Sequence, residues 1–217
     1  MNASVLHISL KEAKKALITV YAVGVVGMLL PWSFPLFQML IPYTLLFCFF
    51  MLALFHQGKL NLRNSLFYLF VLVAGFAVEV YGVKTGQIFG QYTYGAHIGI
   101  KVFDTPLLIG LNWLFLVYST AALTDKLKMP LVAKVLLPSL AMVVYDLVAE
   151  QVAPVLGMWS FKGGSVPFQN YLAWFGLALV FHTLLRVLHI RTANPLSVML
   201  LGLQFVFFII LLLFLPK

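Results

Sequence analysis

The chain has 217 residues, 63% of them hydrophobic and only 9% charged, whereas about a quarter of the residues in a soluble domain are charged. Its apolar residues come in runs of the roughly 20 residues that cross a hydrocarbon core, which excludes a water-soluble globular class. The formal net charge of +8 would suit a nucleic-acid binder, but the placement of the basic residues excludes that partner.

In chain order, Lys11, Lys14 and Lys15 precede a first apolar stretch, Ala16–Leu30. No small-residue cleavage site follows it, so it reads as a retained span. Pro31 and Pro35 leave a very short link to the second span, Pro35–Phe55, which holds Cys48. A lone cysteine supports neither a disulfide framework nor a cysteine metal site. Lys59 and Arg63 come next, then a third span, Ser65–Val83, carrying Glu79. A loop rich in glycine and aromatics, Lys84–Thr105, leads to the fourth span, Pro106–Leu123, with Asn112 and Trp113 inside it. Lys126 and Lys128 separate it from the fifth, Leu131–Gln151, which carries Asp146 and Glu150. A second such loop, Val152–Gln169, precedes Asn170–Leu188, and after Arg186 and Arg191 comes the last span, Pro195–Leu215. The opposite side of the bilayer receives only Lys84, Lys101, Lys162 and Lys217. This asymmetry is a topology signal, with the N-terminus in the cytoplasm, the C-terminus outside and both loops on the outer side of the cytoplasmic membrane. The expected fold is an all-α polytopic transmembrane helix bundle of about seven spans, a single integral membrane domain over 1–217.

The two loops and their flanking spans share spacings. Glu79 is followed eleven residues later by Gly90, opening Gly90-Gln-Tyr92-Thr-Tyr94, and Asp146 eleven residues later by Gly157, opening Gly157-Met-Trp159-Ser-Phe161. Pro106 precedes Trp113 by seven residues, as Pro167 precedes Trp174. These matches imply a parallel internal repeat, spans three and four against five and six, with halves at about 64–123 and 130–188. Glu79 and Asp146 would then lie at equivalent depths and face a shared centre.

The acidic residues divide by position. Glu12 and Asp125 fall in polar segments and are expected to be solvated. Asp104 precedes Thr105-Pro106 and can cap the fourth helix or support the other acids. Asp146 lies about 24 Å along its helix from Pro130, towards the outer face, and Glu79 reaches a similar level. Asp146 and Glu150, four apart, share a helix face. Acids inside a membrane are costly and point to function, the alternative being ion pairs with Lys84, Lys101 or Lys162. Two carboxyls in a low dielectric cannot both ionise cheaply, so one of them keeps a proton. Asn112 and Asn170 either position water or substrate or hydrogen-bond between helices. Tyr92, Tyr94, Trp113, Trp159, Phe161, Tyr171 and Trp174 suit interfacial anchoring, and those facing the acids would stabilise a developing cation. The five histidines show no paired metal-ligand spacing, which argues against a di-iron oxygenase.

The order Glu79, Thr85-Gly86, Phe89-Gly90, Tyr92, Tyr94 resembles the signature of the carotenoid biosynthesis membrane family. The second half, from Asp146 through Pro154, Gly157, Trp159, Pro167, Asn170 and Trp174, resembles it too, so that the likeness covers roughly 64–190. Gly164-Ser165-Val-Pro167 matches only approximately. The resemblance implies a carotenoid hydratase, a cofactor-independent hydro-lyase adding water to the terminal double bond of an acyclic carotenoid end group. Its catalytic residues would be Glu79 and Asp146, supported by Glu150 and Asp104. Tyr92, Tyr94, Asn112, Trp113, Trp159, Phe161, Asn170 and Trp174 would bind the substrate, and no metal would be needed. The partners implied are the lipid-soluble carotenoid, water, membrane lipid and other enzymes of the carotenoid pathway. A carotenoid cyclase begins with the same protonation and is the nearest alternative. A proton-coupled transporter, from another class, also uses intramembrane acids in a repeat.

Overall fold

The computed structural model describes residues 8–215. Its helices in chain order are α1 (Leu10–Leu29), α2 (Phe34–Leu54), α3 (Leu62–Thr85), α4 (Leu108–Asp125), α5 (Leu131–Val152), α6 (Phe168–Val187) and α7 (Ser197–Phe214). Short strands lie in the loops: β1 (Tyr92–Tyr94), β2 (Lys101–Val102), β3 (Thr105–Pro106) and β4 (Trp159–Phe161). The bundle is the expected all-α membrane architecture, and six of its helices are long and apolar enough to cross a bilayer. The exception among the described helices is α1, whose first turns carry Lys11, Glu12, Lys14 and Lys15 and so shorten its apolar stretch. It packs against α2 and α7.

Local chemistry sets the helix ends. Ser9 opens α1 with a reciprocal box: Glu12 N–H donates to Ser9 Oγ at 3.2 Å and Ser9 N–H to Glu12 Oε2 at 2.8 Å. Asn61 accepts from the Asn64 N–H at 2.9 Å at the start of α3. Gly86 closes that helix in the left-handed conformation, φ 68°, where a side chain would be strained.

The centre of the bundle is α4, which contacts α2, α3, α5, α6 and α7. Burial on most sides demands that its polar groups be satisfied within the protein. Thr120 meets this by donating to the Leu116 carbonyl at 2.6 Å, and Thr124 to the Ala121 carbonyl at 3.2 Å. Gly75 lets α3 lie directly on α4, because a Cβ there would come within 2.7 Å of Trp113 Cβ. Gly75 and Glu79 are one helical turn apart on the same face. The close approach therefore brings Glu79 to the α4 side chains.

The loops between α3 and α4 and between α5 and α6 are joined. Strand β1 pairs with β4 antiparallel, setting Tyr92 opposite Phe161, Thr93 opposite Ser160 and Tyr94 opposite Trp159. Strands β2 and β3 form a hairpin with Phe103 and Asp104 at its tip, at φ 53° and 64°.

Two acids are not where the sequence placed them. Asp104 is exposed in that hairpin turn, because Thr105 and Pro106 are taken up by β3 and α4 begins only at Leu108. It neither caps α4 nor reaches the other carboxyls. Asp125 is not simply solvated either: it pairs with Arg186 from α6 and accepts from the Thr192 hydroxyl. That contact ties the end of α4 to α6 and to the segment before α7.

Candidate active site

Glu79 is 3% exposed on α3, and each of its oxygens is engaged. Oε2 accepts from the Tyr92 hydroxyl at 2.5 Å and the Tyr94 hydroxyl at 2.8 Å, and Oε1 from Trp113 Nε1 at 2.9 Å. Alternation along β1 sends both tyrosines to one face, which is why the spacing Tyr-x-Tyr supplies two phenols to one acid. Both phenols lie outside the spans, and burial, reinforced by Glu79 beside them, holds their titration far above the ordinary tyrosine range. They therefore remain neutral donors. An acceptor served by three donors has the surroundings of an ionised carboxylate.

Asp146 and Glu150, on adjacent turns of α5, are served differently. Asn170 Nδ2 donates to Asp146 Oδ2 at 2.7 Å and lies 3.4 Å from Glu150 Oε1, so one amide serves both acids. Trp159 Nε1 donates to Glu150 Oε2 at 2.8 Å. Among the described residues, lysines do not neutralise the cluster. Among the described residues the one carboxylate salt bridge is Arg186–Asp125. Lys84 instead sits 4.7 Å from the Phe103 ring centroid, and Lys101 donates to the Tyr94 carbonyl at 2.5 Å. Among the described residues, no group of three or more His, Cys, Asp or Glu is arranged to hold a metal ion.

All three acids line one cavity of about 410 Å³, within the size range of small-molecule sites. Tyr92, Tyr94, Trp159 and Phe161 line it from the β1–β4 pair, and Asn112, Asn170 and Trp174 from α4 and α6. Trp113 stands behind the wall, where it holds Glu79 and stacks on Trp174 with centroids 4.4 Å apart. Asp104 is outside it.

The sequence reading left out the other wall. Apolar side chains of α1 and α2 and the Gln204 amide of α7 complete the cavity. Hydrophobicity alone does not distinguish a lining leucine from a lipid-facing one, although an amide inside the apolar seventh span was a usable signal. Val23, Leu40 and Tyr43, at 52%, 39% and 68% exposure, are the exposed residues of the lining, and all lie on α1 or α2. The cavity therefore opens between these helices onto the apolar flank of the bundle, with the acids at its inner end.

The family model for carotenoid biosynthesis protein matches residues 40–216. The chain belongs to that family. The match takes in α7 and most of α2, elements whose sequences carry little beyond hydrophobicity. A curated relative, bisanhydrobacterioruberin hydratase of Haloarcula japonica, is 31% identical over 114 residues. The aligned region covers 46% of this chain and 36% of that protein, so the chain matches little more than a third of the relative's length. No solved structure matches the chain.

Proposed function

We propose that this protein is a carotenoid hydratase that adds water to the terminal double bond of an acyclic carotenoid end group. The observation that carries the reading is the cavity itself: three buried carboxyls, unpaired with any cation among the described residues, at the inner end of an apolar chamber open to the membrane flank. A polyene dissolved in lipid can insert one end there without leaving the bilayer. The likeness to the Haloarcula protein, a hydratase by name, favours hydration over ring closure.

The donor sets divide the labour. Asp146 and Glu150 together receive few donors, and two carboxyls so close favour sharing one proton. Their carboxylic acid donates that proton to the terminal alkene carbon, leaving a tertiary cation. Glu79, ringed by three donors, remains the carboxylate that steadies the positive charge, together with the Trp174 and Tyr92 rings. Water oxygen then bonds to the cation, and the proton it sheds restores the acid. α3 and α5 run unbroken through Glu79 and Asp146, which favours an enzyme over a transporter with broken helices at its site.

The same reading includes the internal repeat. Thr93 and Ser160 are separated by the same number of residues as Glu79 and Asp146, and they face each other across β1–β4. Trp113 and Trp174, counterparts in spacing from their prolines, stack on each other. A two-fold axis along the membrane normal passing through both contacts would produce this pattern.

Pigment analysis after expression in cells that accumulate lycopene tests the function. The expected product is heavier than its precursor by one water. An isomer of equal mass would mean cyclisation, and unchanged pigment with correctly inserted protein would reject both.

A further inference from the structure

Hydration needs more than an acid. The cation must meet one water held ready, in a chamber whose walls otherwise exclude water. Gln204 on α7 is 5% exposed and lines the cavity, yet no hydrogen bond to protein engages its amide among the described residues. Asn112 on α4, half-buried, also lines the cavity with no hydrogen bond to protein among the described residues. The two residues also line a second, adjoining cavity of about 10 Å³, whose other walls are apolar apart from Cys48. That volume is about one water sphere, and two amides with a thiol supply the two to four polar partners such a water requires.

Resting on the hydratase reading, we infer that Asn112 and Gln204 form the site for the attacking oxygen, a water held by two neutral amides apart from the carboxyl cluster. Neutral groups suit the task. An amide accepts from water and donates to it without quenching the cation or carrying off the proton intended for the alkene. The oxygen bonds to the tertiary carbon, and the proton released passes to the carboxylate left by the donor, so the cycle consumes one alkene and one water. Without the held water, the cation loses a proton again and returns polyene, or closes a ring to an isomer of equal mass.

That partition is measurable with purified protein in lipid vesicles loaded with lycopene and equilibrated in D₂O. In Gln204→Met, which keeps the side-chain shape, hydrated product should fall about ten-fold, the value of one ordinary hydrogen bond. Deuterium incorporation into recovered polyene should continue undiminished, because protonation is untouched. Asn112→Leu should give the same split. Hydration and exchange falling together in both variants, or both staying at wild-type level, would overturn the assignment. Asp146→Asn provides the contrast, since it should abolish both signals. A wild-type protein giving exchange but no hydrated product would refute the amide site and the hydratase reading together, and an outcome confined to the variants touches the amide site alone.

Discussion

Glu79 and Asp146 were expected to be equivalents, and their surroundings differ. Glu79 receives two phenols and an indole, whereas Asp146 receives one amide that also serves Glu150. Glu79→Gln and Asp146→Asn should each reduce product by at least about 100-fold, the lower end for general acid–base assistance. The stability response should separate them. An amide at position 79 cannot accept from three donors without turning its own NH₂ against one, at a cost of about 1–3 kcal/mol. Thermal unfolding in detergent should therefore fall further for Glu79→Gln than for Asp146→Asn. Asp104→Asn, altering an exposed turn, should keep both stability and activity. Wild-type hydration by both amide variants, correctly inserted, would refute the carboxylate mechanism.

Helix contacts set the cavity's dimensions. At Gly75 α3 lies directly on α4, and Gly75→Leu would drive a side chain into Trp113. Overpacking of this kind costs about 1–3 kcal/mol or more, and the displaced indole would release Glu79. Lower detergent stability and lost activity should appear together; an active, equally stable variant would show that the contact is dispensable. The mouth between α1 and α2 is a separate matter. Leu40 lies on its rim, so Leu40→Trp should raise the apparent KM for a long polyene with little change in folding. An unchanged KM would place substrate access elsewhere.

At the scale of the whole molecule, β1–β4 pairing requires that the two long loops share one side of the membrane. From charge we propose which side: the positive-inside rule would put Lys59, Lys126 and Arg191 in the cytoplasm and the loops outside. Single cysteines in a Cys48→Ser background can decide this. An impermeant thiol reagent applied to intact cells should modify a cysteine at position 162 and spare one at 126, and the reverse pattern would invert the topology. Arg186 and Asp125 sit at the opposite end and couple α4 to α6. Asp125→Asn should lower stability more than activity, since it leaves a part-buried guanidinium with a weaker partner.

The helices were legible from sequence because a bilayer imposes one rule on every span: a long apolar stretch with its backbone satisfied internally. The predicted bounds of α2, α5 and α6 lie within a residue or two of those observed. The acids were legible for the same reason, since charge inside such a stretch stands out. Two classes of fact were not local. Strand pairing between loops far apart in sequence holds Tyr92 and Tyr94, the donors to Glu79, against the second loop. The inner wall from α1, α2 and Gln204 depended on which face of each helix its neighbours cover, and a uniformly apolar helix does not encode that face in its own periodicity. Composition and spacing determined the class, the spans and the polar residues within and beside them; packing alone decided which of those residues meet, and around what space.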